Sequence, residues 1–159
     1  FGPLVARSVA EHGDLMTRYA IRFAEDSARI AKEEFAEGLE IEGRVYERLG
    51  RVLQRYRILV CPGFGWPAIE AGEDYVDRGP EVNGVELSDW YEVLTTVPFN
   101  LASRCPVLSV PSGSSREGVP TGIQVVGRTY DDISVFRAAA AYERVRADLF
   151  VPSRRPPLA

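Results

Sequence analysis

The sequence is short of the residues that most hydrolases and metal sites need. It has one histidine, His12, two cysteines and one methionine in 159 residues, and Lys32 is its single lysine. A serine hydrolase of the common kind needs a His base oriented by an acid, and a zinc site needs several His or Cys ligands. His12 reads as a surface residue beside a charged turn and Lys32 as part of a solvated helix face, so neither a catalytic residue nor a metal ligand is assigned. Cys61 and Cys105 lie 44 positions apart without CxxC or Cys/His spacing, which reads as two buried free thiols and a reducing, cytoplasmic setting. The longest apolar runs, 58–60 and 138–141, fall far short of the ~20 residues that span a bilayer. Basic residues number 19 against 23 acidic ones, for a net charge of −4, and they are interleaved rather than clustered. Direct binding to nucleic acid is not expected, nor is any cofactor.

Apolar content of 45% and charged content of 26% are those of an ordinary globular domain. The chain opens on Phe1-Gly2-Pro3 rather than Met and closes on Arg154-Arg155-Pro156-Pro157-Leu158-Ala159. The first suggests a start removed by processing or proteolysis, the second a solvated tail.

Leu15, Met16, Tyr19 and Phe23 predict a helix over 13–25 with Asp14 as its N-cap. Phe35, Leu39, Glu42, Tyr46, Leu49, Leu53 and Tyr56, recurring every three or four residues, predict one long amphipathic helix over 31–56. The apolar run Ile58-Leu59-Val60-Cys61-Pro62 predicts a buried strand. Residues 63–89, rich in Gly, Pro, Asp and Glu, read as a long lid or binding loop carrying Trp66-Pro67-Ala68. Residues 90–99 read as a short helix or irregular turn. Val107–Val110 and Gly122–Val126 predict two strands, buried on both faces, joined antiparallel through a turn-forming connection over 111–120. Asp131 or Asp132 caps a last helix to about Arg146, with Val135, Phe136, Ala139, Tyr142 and Val145 facing the core. The order is α/β, with helices covering a mixed sheet that needs further strands as neighbours.

Two sequences imitate functional loops. Pro111-Ser112-Gly113-Ser114-Ser115 has serines among glycine, but neither Ser114 nor Ser115 has Gly two positions to either side, so turn chemistry explains it better than a nucleophile elbow. Gly118-Val119-Pro120-Thr121-Gly122 lacks the lysine and the free N–H groups of a phosphate loop.

Three linked stretches carry more information: Leu94-Thr95-Thr96-Val97-Pro98-Phe99-Asn100-Leu101, then Pro106-Val107-Leu108-Ser109-Val110-Pro111-Ser112-Gly113, then Gly118-Val119-Pro120-Thr121-Gly122-Ile123-Gln124-Val125-Val126-Gly127. Together they resemble the C-terminal hallmark of the amidase signature family, the last two matching P-x-x-SVP-x-G and G-x-P-x-G-x-Q-x-VG. Upstream, Tyr56-Arg57-Ile58-Leu59-Val60-Cys61-Pro62 is similar to that family's YD-x-L-x-x-P strand, with Arg57 in place of Asp. The resemblance implies that residues 1–159 are the C-terminal portion of such a domain, a partial mixed β-sheet flanked by helices. It implies an amide hydrolase whose nucleophilic Ser, cis-Ser and Lys lie in an N-terminal half that does not map onto this sequence. A neutral Lys acting through a bridging Ser replaces the His, so the chain by itself is expected to be inactive.

What this half would supply, by the same resemblance, is a wall of the pocket for a small amide. Thr96, Phe99 and Ser103 fall where relatives line the substrate channel, and Tyr130 falls where some place an aromatic at its mouth. Trp66 and Trp90 join them from the loop argument. Many members carry Gly-His-Pro-Ala where this chain has Ser103-Arg104-Cys105-Pro106-Val107. Arg104 would pair with a substrate carboxylate or reach solvent or a backbone carbonyl. Two other readings stay open: a component of a glutamine-dependent tRNA amidotransferase, a class of enzyme that the family also includes, and a non-catalytic binding module. Apolar strands deprived of part of their cover would also drive self-association, so a homo-oligomer is expected.

Overall fold

A computed structural model of the chain describes residues 2–67 and 69–151. The tail 152–159 and Ala68 of the Trp66 loop lie outside the described residues. The described residues form two compact units: one within 2–41 and 69–92, the other within 42–67 and 93–151.

The first unit is helical. Helix α1 spans Gly2–His12 and α2 spans Arg18–Arg29, with a 3-10 turn at Gly13–Leu15 between them. The helix expected over 13–25 is thus corrected: Asp14 sits in the 3-10 turn, and α2 starts four residues later, after Thr17 in extended conformation. Met16, also extended, breaks the run that the apolar spacing had joined. Helix α3, Lys32–Arg55, opens in this unit and continues into the second. Its first turn is closed by Glu34, whose carboxylate accepts the Ala31 amide at 2.7 Å, the carboxylate half of a capping box. Of the expected stripe, Phe35, Leu39 and Tyr56 are exposed, the last lying just past the helix end.

The segment 63–89 is not irregular throughout. Strands β2 (Glu81–Val82) and β3 (Val85–Glu86) pair antiparallel around Asn83-Gly84, both at positive φ, 53° and 78°. That is the Asn-Gly hairpin signal of a type I′ turn, outweighed in sequence by the surrounding Gly, Pro and acidic residues. Gly79 is obligatory beside it, since a Cβ there would lie 1.8 Å from the Leu87 carbonyl oxygen.

The second unit is a three-stranded antiparallel sheet in the order β1-β5-β4, with β1 at Ile58–Pro62, β4 at Val107–Ser114 and β5 at Pro120–Gly127. The hairpin expected between the last two is present, and its strands run further than expected. The connection shrinks to 115–119, with a bulge between Pro111 and Gly113. Ser115 closes the tip: its Oγ accepts the amides of Glu117 and Val119, and its own amide donates to the Val119 carbonyl.

Alternation along the strands assigns the two faces. Ile58, Leu108, Val110, Ile123 and Val125 meet Val135 and Ala139 of helix α5, Asp132–Val145. Leu59, Cys61 and Val126 meet Leu53, Leu49 and Tyr46 of α3, together with Cys105 and Phe99. Both faces of the central strand are covered, and β5 is buried from Gln124 to Gly127. The edge strands are not buried on both faces as expected. Val60 is 55% exposed, because it lies on an edge strand where helical cover is partial.

Asp131 caps α5, accepting the Ser134 amide at 3.2 Å. Hydrogen bonding from the Ser134 side chain and amide, with the positive charge of Arg57 and Arg128, holds the Asp131 carboxyl below the usual carboxylate range. Phe136 and Val145, expected in the core, are 63% and 80% exposed; the buried stripe is centred on Val135 and Ala139, and Phe136 turns about 100° away from Val135. The C-terminal carbonyls of α3 are capped by Arg128, whose guanidinium donates to Leu53 and Gln54 at 2.5 and 3.2 Å, a favourable place for a cation. Tyr46 and Thr129 add a side-chain hydrogen bond.

At Gly127 helix α5 lies close against the sheet. A Cβ there would sit 2.5 Å from Val135 Cγ2 and 3.2 Å from the Asp131 carbonyl oxygen. Gly127→Ala should therefore destabilise the chain by about 1–3 kcal/mol through overpacking, read as a lowered urea midpoint. A second substitution, Val135→Ala, should recover part of the loss. Additive losses in the double variant would show that the two positions do not collide.

Candidate functional site

The residues expected to shape a pocket begin where β1 ends. Pro62 leaves its carbonyl free of the ladder, and two side chains take it: Thr95 Oγ1 donates at 2.7 Å and Gln124 Nε2 at 2.8 Å. Gln124 Nε2 also reaches the Thr95 carbonyl at 3.3 Å and Cys61 Sγ at 3.7 Å. Gln124 is 3% exposed, the one buried polar side chain among the described residues, and no buried side-chain polar atom among them lacks a partner. Alongside, the Gly63 amide donates to Gly122 and the Gly65 amide to Val93. The end of β1, the loop leading to Trp66 and the Thr95–Thr96 turn are thereby tied to the central strand. Burial raises the Cys61 thiol above its ordinary value, so it is a weak nucleophile there.

Thr96 stands at the head of the short helix α4, Val97–Leu101, where Pro98 fits the first turn. Its carbonyl accepts the amides of Phe99 and Asn100, while its hydroxyl makes no capping bond and its side chain is half-buried. Phe99 turns inward and packs with the cluster of Leu53, Cys105 and Val126. Ser103 is exposed after α4, as is Arg104. Tyr130 is 76% exposed at φ 58°, its amide bonded to the Arg104 carbonyl. Trp66 is half-buried in the loop after β1. The structure thus puts Thr96, Phe99 and Trp66 on segments that Gln124 and its partners tie to the sheet, and Tyr130 beside Arg104 through backbone.

Ser112 and Ser115 of the serine-rich loop have structural partners. Ser112 Oγ bonds Thr121 Oγ1 across the hairpin at 2.9 Å, and Ser115 is occupied by the turn. Among the described residues no group of three or more His, Cys, Asp or Glu could hold a metal ion, and no helix is long and apolar enough to cross a membrane.

Trp90 belongs to the first unit. There it lines a cleft of about 310 Å³ with Tyr19, Asp26, Tyr75, Asp89 and Tyr91. Gln124 and this cleft are what sequence reasoning missed. A glutamine inside the apolar run 122–126 was a visible signal for the first, while the cleft joins residues more than 50 positions apart.

The family described as amidase matches residues 6–136. A glutamyl-tRNA(Gln) amidotransferase subunit from Methanococcoides burtonii is 31% identical over 144 residues, 91% of this chain and 26% of that protein. Among solved structures, a bacterial aryl acylamidase of the amidase signature family superposes with a TM-score of 0.76 at 22% identity, over 98% of this chain and 34% of that one. The corresponding glutamyl-tRNA(Gln) amidotransferase subunit from Thermotoga maritima gives 0.56 at 26% identity, over 89% and 33%. The chain therefore spans between a quarter and about a third of the length of these relatives. With its hallmark stretches forming β4, β5 and the Thr95–Gln124 tie between them, the chain belongs to the amidase signature family.

Proposed function

We propose that this chain is the C-terminal portion of an amidase-signature domain whose parent protein hydrolyses a small carboxamide to a carboxylate and ammonia. The supporting observation is the family match over residues 6–136. In this reading, residues outside these 159 supply a Ser nucleophile, a bridging cis-Ser and a Lys base. The Ser oxygen attacks the amide carbon, the C–N bond breaks with proton transfer to the departing ammonia, and water then cleaves the acyl ester to restore the Ser. The chain contributes the pocket wall around Thr96 and Phe99, with Ser103, Tyr130 and Trp66 as further lining positions; Trp90, expected with them, lines the separate cleft of the first unit. Anchoring by Gln124 serves catalysis by fixing the substrate's surroundings before reaction. The free thiols of Cys61 and Cys105 suit a reducing cytoplasm. Exposed Val60, Phe136 and Val145 would favour a homo-oligomer.

The test is ammonia release from a panel of aliphatic and aromatic amides. The purified 159-residue chain should give no turnover above buffer. Turnover that disappears in Ser112→Ala, Ser114→Ala or Ser115→Ala would overturn the reading.

A second reading, a component of a tRNA-dependent amidotransferase, draws on the 31% identity to the M. burtonii protein. Glutamine as the one amide accepted by the parent protein would favour it over a free-standing amidase.

A further inference from the structure

The cleft of the first unit has a chemistry that amide hydrolysis does not require. Its rings are mutually ordered: Trp90 stacks on Tyr91 with centroids 4.3 Å apart, and Tyr19 meets Trp90 edge to face at 6.1 Å. Tyr75 also lines the cleft, at φ 52°, a left-handed conformation costly for a bulky residue. It is held in place from both sides. Arg18 forks to Asp74 and Asp77, each at 2.9 Å, and Asp74 Oδ1 accepts the Val76 amide at 3.1 Å. The cleft is thus preformed by an ion-pair clamp acting on the segment that carries Tyr75.

Its charge is uneven. Asp26 is matched by Arg22 at 2.8 Å and Arg29 at 3.1 Å. Asp89 is half-buried, accepts the Tyr91 amide at 3.0 Å and has no ion pair among the described residues. Arg22 also lines the cleft but is engaged by Asp26, so the carboxylate that stands beside the Trp90–Tyr91 stack without an ion pair among the described residues is Asp89. The Tyr91 hydroxyl responds accordingly: burial raises its pKa, and Asp89 and Asp26 raise it further. Aromatic faces attract cations through their quadrupole, Trp most strongly, and an adjacent carboxylate adds to that attraction.

We propose that this cleft binds a small organic cation, a quaternary ammonium or protonated amine, with its positive centre against Trp90 and Asp89. A volume of about 310 Å³ lies at the lower end of small-molecule sites, which suits a head group or a free amine rather than a long chain. The proposal goes beyond the amidase reading and stands on different residues.

The experiment titrates choline into the 159-residue chain and follows the indole N–H signals of Trp90 and Trp66 by NMR, the second serving as internal reference. Choline should move the Trp90 signal saturably and leave Trp66 in place. The neutral isostere 3,3-dimethylbutan-1-ol should bind at least about five-fold more weakly, the difference expected of a cation over an aromatic face. Asp89→Asn, conservative in shape, should weaken choline about three-fold or more by the Trp90 signal; Trp90→Phe, which lacks that signal, should weaken it to a similar extent by calorimetry. Equal binding of the alcohol would reduce the cleft to an apolar recess and overturn the proposal. So would an unmoved Trp90 signal, or choline binding unchanged in Asp89→Asn. None of these readouts depends on amide turnover, so they fail or succeed separately from the proposed hydrolysis.

Discussion

Leu53→Ala should cost the chain about 2–5 kcal/mol of unfolding free energy, the range for a buried leucine truncated where its surroundings cannot collapse. Leu53 is 2% exposed and sits with Val126 and Cys105 at the centre of the face that α3 presents to the sheet. Its own backbone is held by Arg128, so the helix has little freedom to slide into the space left by the missing methyl groups. The measurement is urea unfolding followed by circular dichroism. Phe35→Ala, on the exposed part of the same helix, is the control and should change stability by no more than about 0.5 kcal/mol. A Leu53→Ala loss as small as the control's would mean that α3 and the sheet do not share a core.

The second large effect concerns Gln124. Gln124→Leu keeps the size of the side chain and removes the donor to Pro62, Thr95 and Cys61. Thr95 Oγ1 still serves Pro62, but the Thr95 carbonyl loses this partner, so the cost should be about 1–3 kcal/mol. Its distribution is the more informative result. Hydrogen exchange should accelerate at the amides of Gly63 and Gly65, which close the loop onto Gly122 and Val93. The Gly127 amide, bonded to the Pro106 carbonyl at 2.9 Å, should exchange at its former rate. Uniform acceleration at all three would show that Gln124 serves global stability and not the placement of the loop and the Thr96 turn.

Much of the second unit was legible from residue order because its signals are local. The apolar run 58–62, the apolar strands and turn residues of 107–127 and the Asp131 cap each specify an element over a few residues, and β1, β4, β5 and α5 follow them closely. The first unit was less legible. Helix α1 buries no residue and so shows no core stripe, while the Asn83-Gly84 hairpin was submerged in a stretch whose composition reads as loop. The division at Ile41 and Glu42 falls inside α3, and helical periodicity carries no mark where the partners of a helix change. The same limit explains Phe35 and Leu39: spacing says that residues share a face and is silent on what covers it. Of the candidate site, Thr96 and Phe99 were reached by family resemblance alone, whereas the role of Gln124 needed the position of the Pro62 carbonyl, 62 residues away.

The strand order has a consequence for how the second unit comes together. Strand β5 is central and β1 is its edge neighbour, with Leu59 opposite Val126. During synthesis β1 leaves the ribosome well before β5, and among the described strands it has no other ladder partner. The β4–β5 hairpin closes over only five residues, 115–119, and needs little loop entropy, whereas bringing β1 alongside closes a far longer loop and comes later in a chain that favours local contacts. β1, with Val60 on its exposed side, is therefore the strand left waiting, and the interval before Gly127 is made is when this chain is most open to pairing with the wrong neighbour.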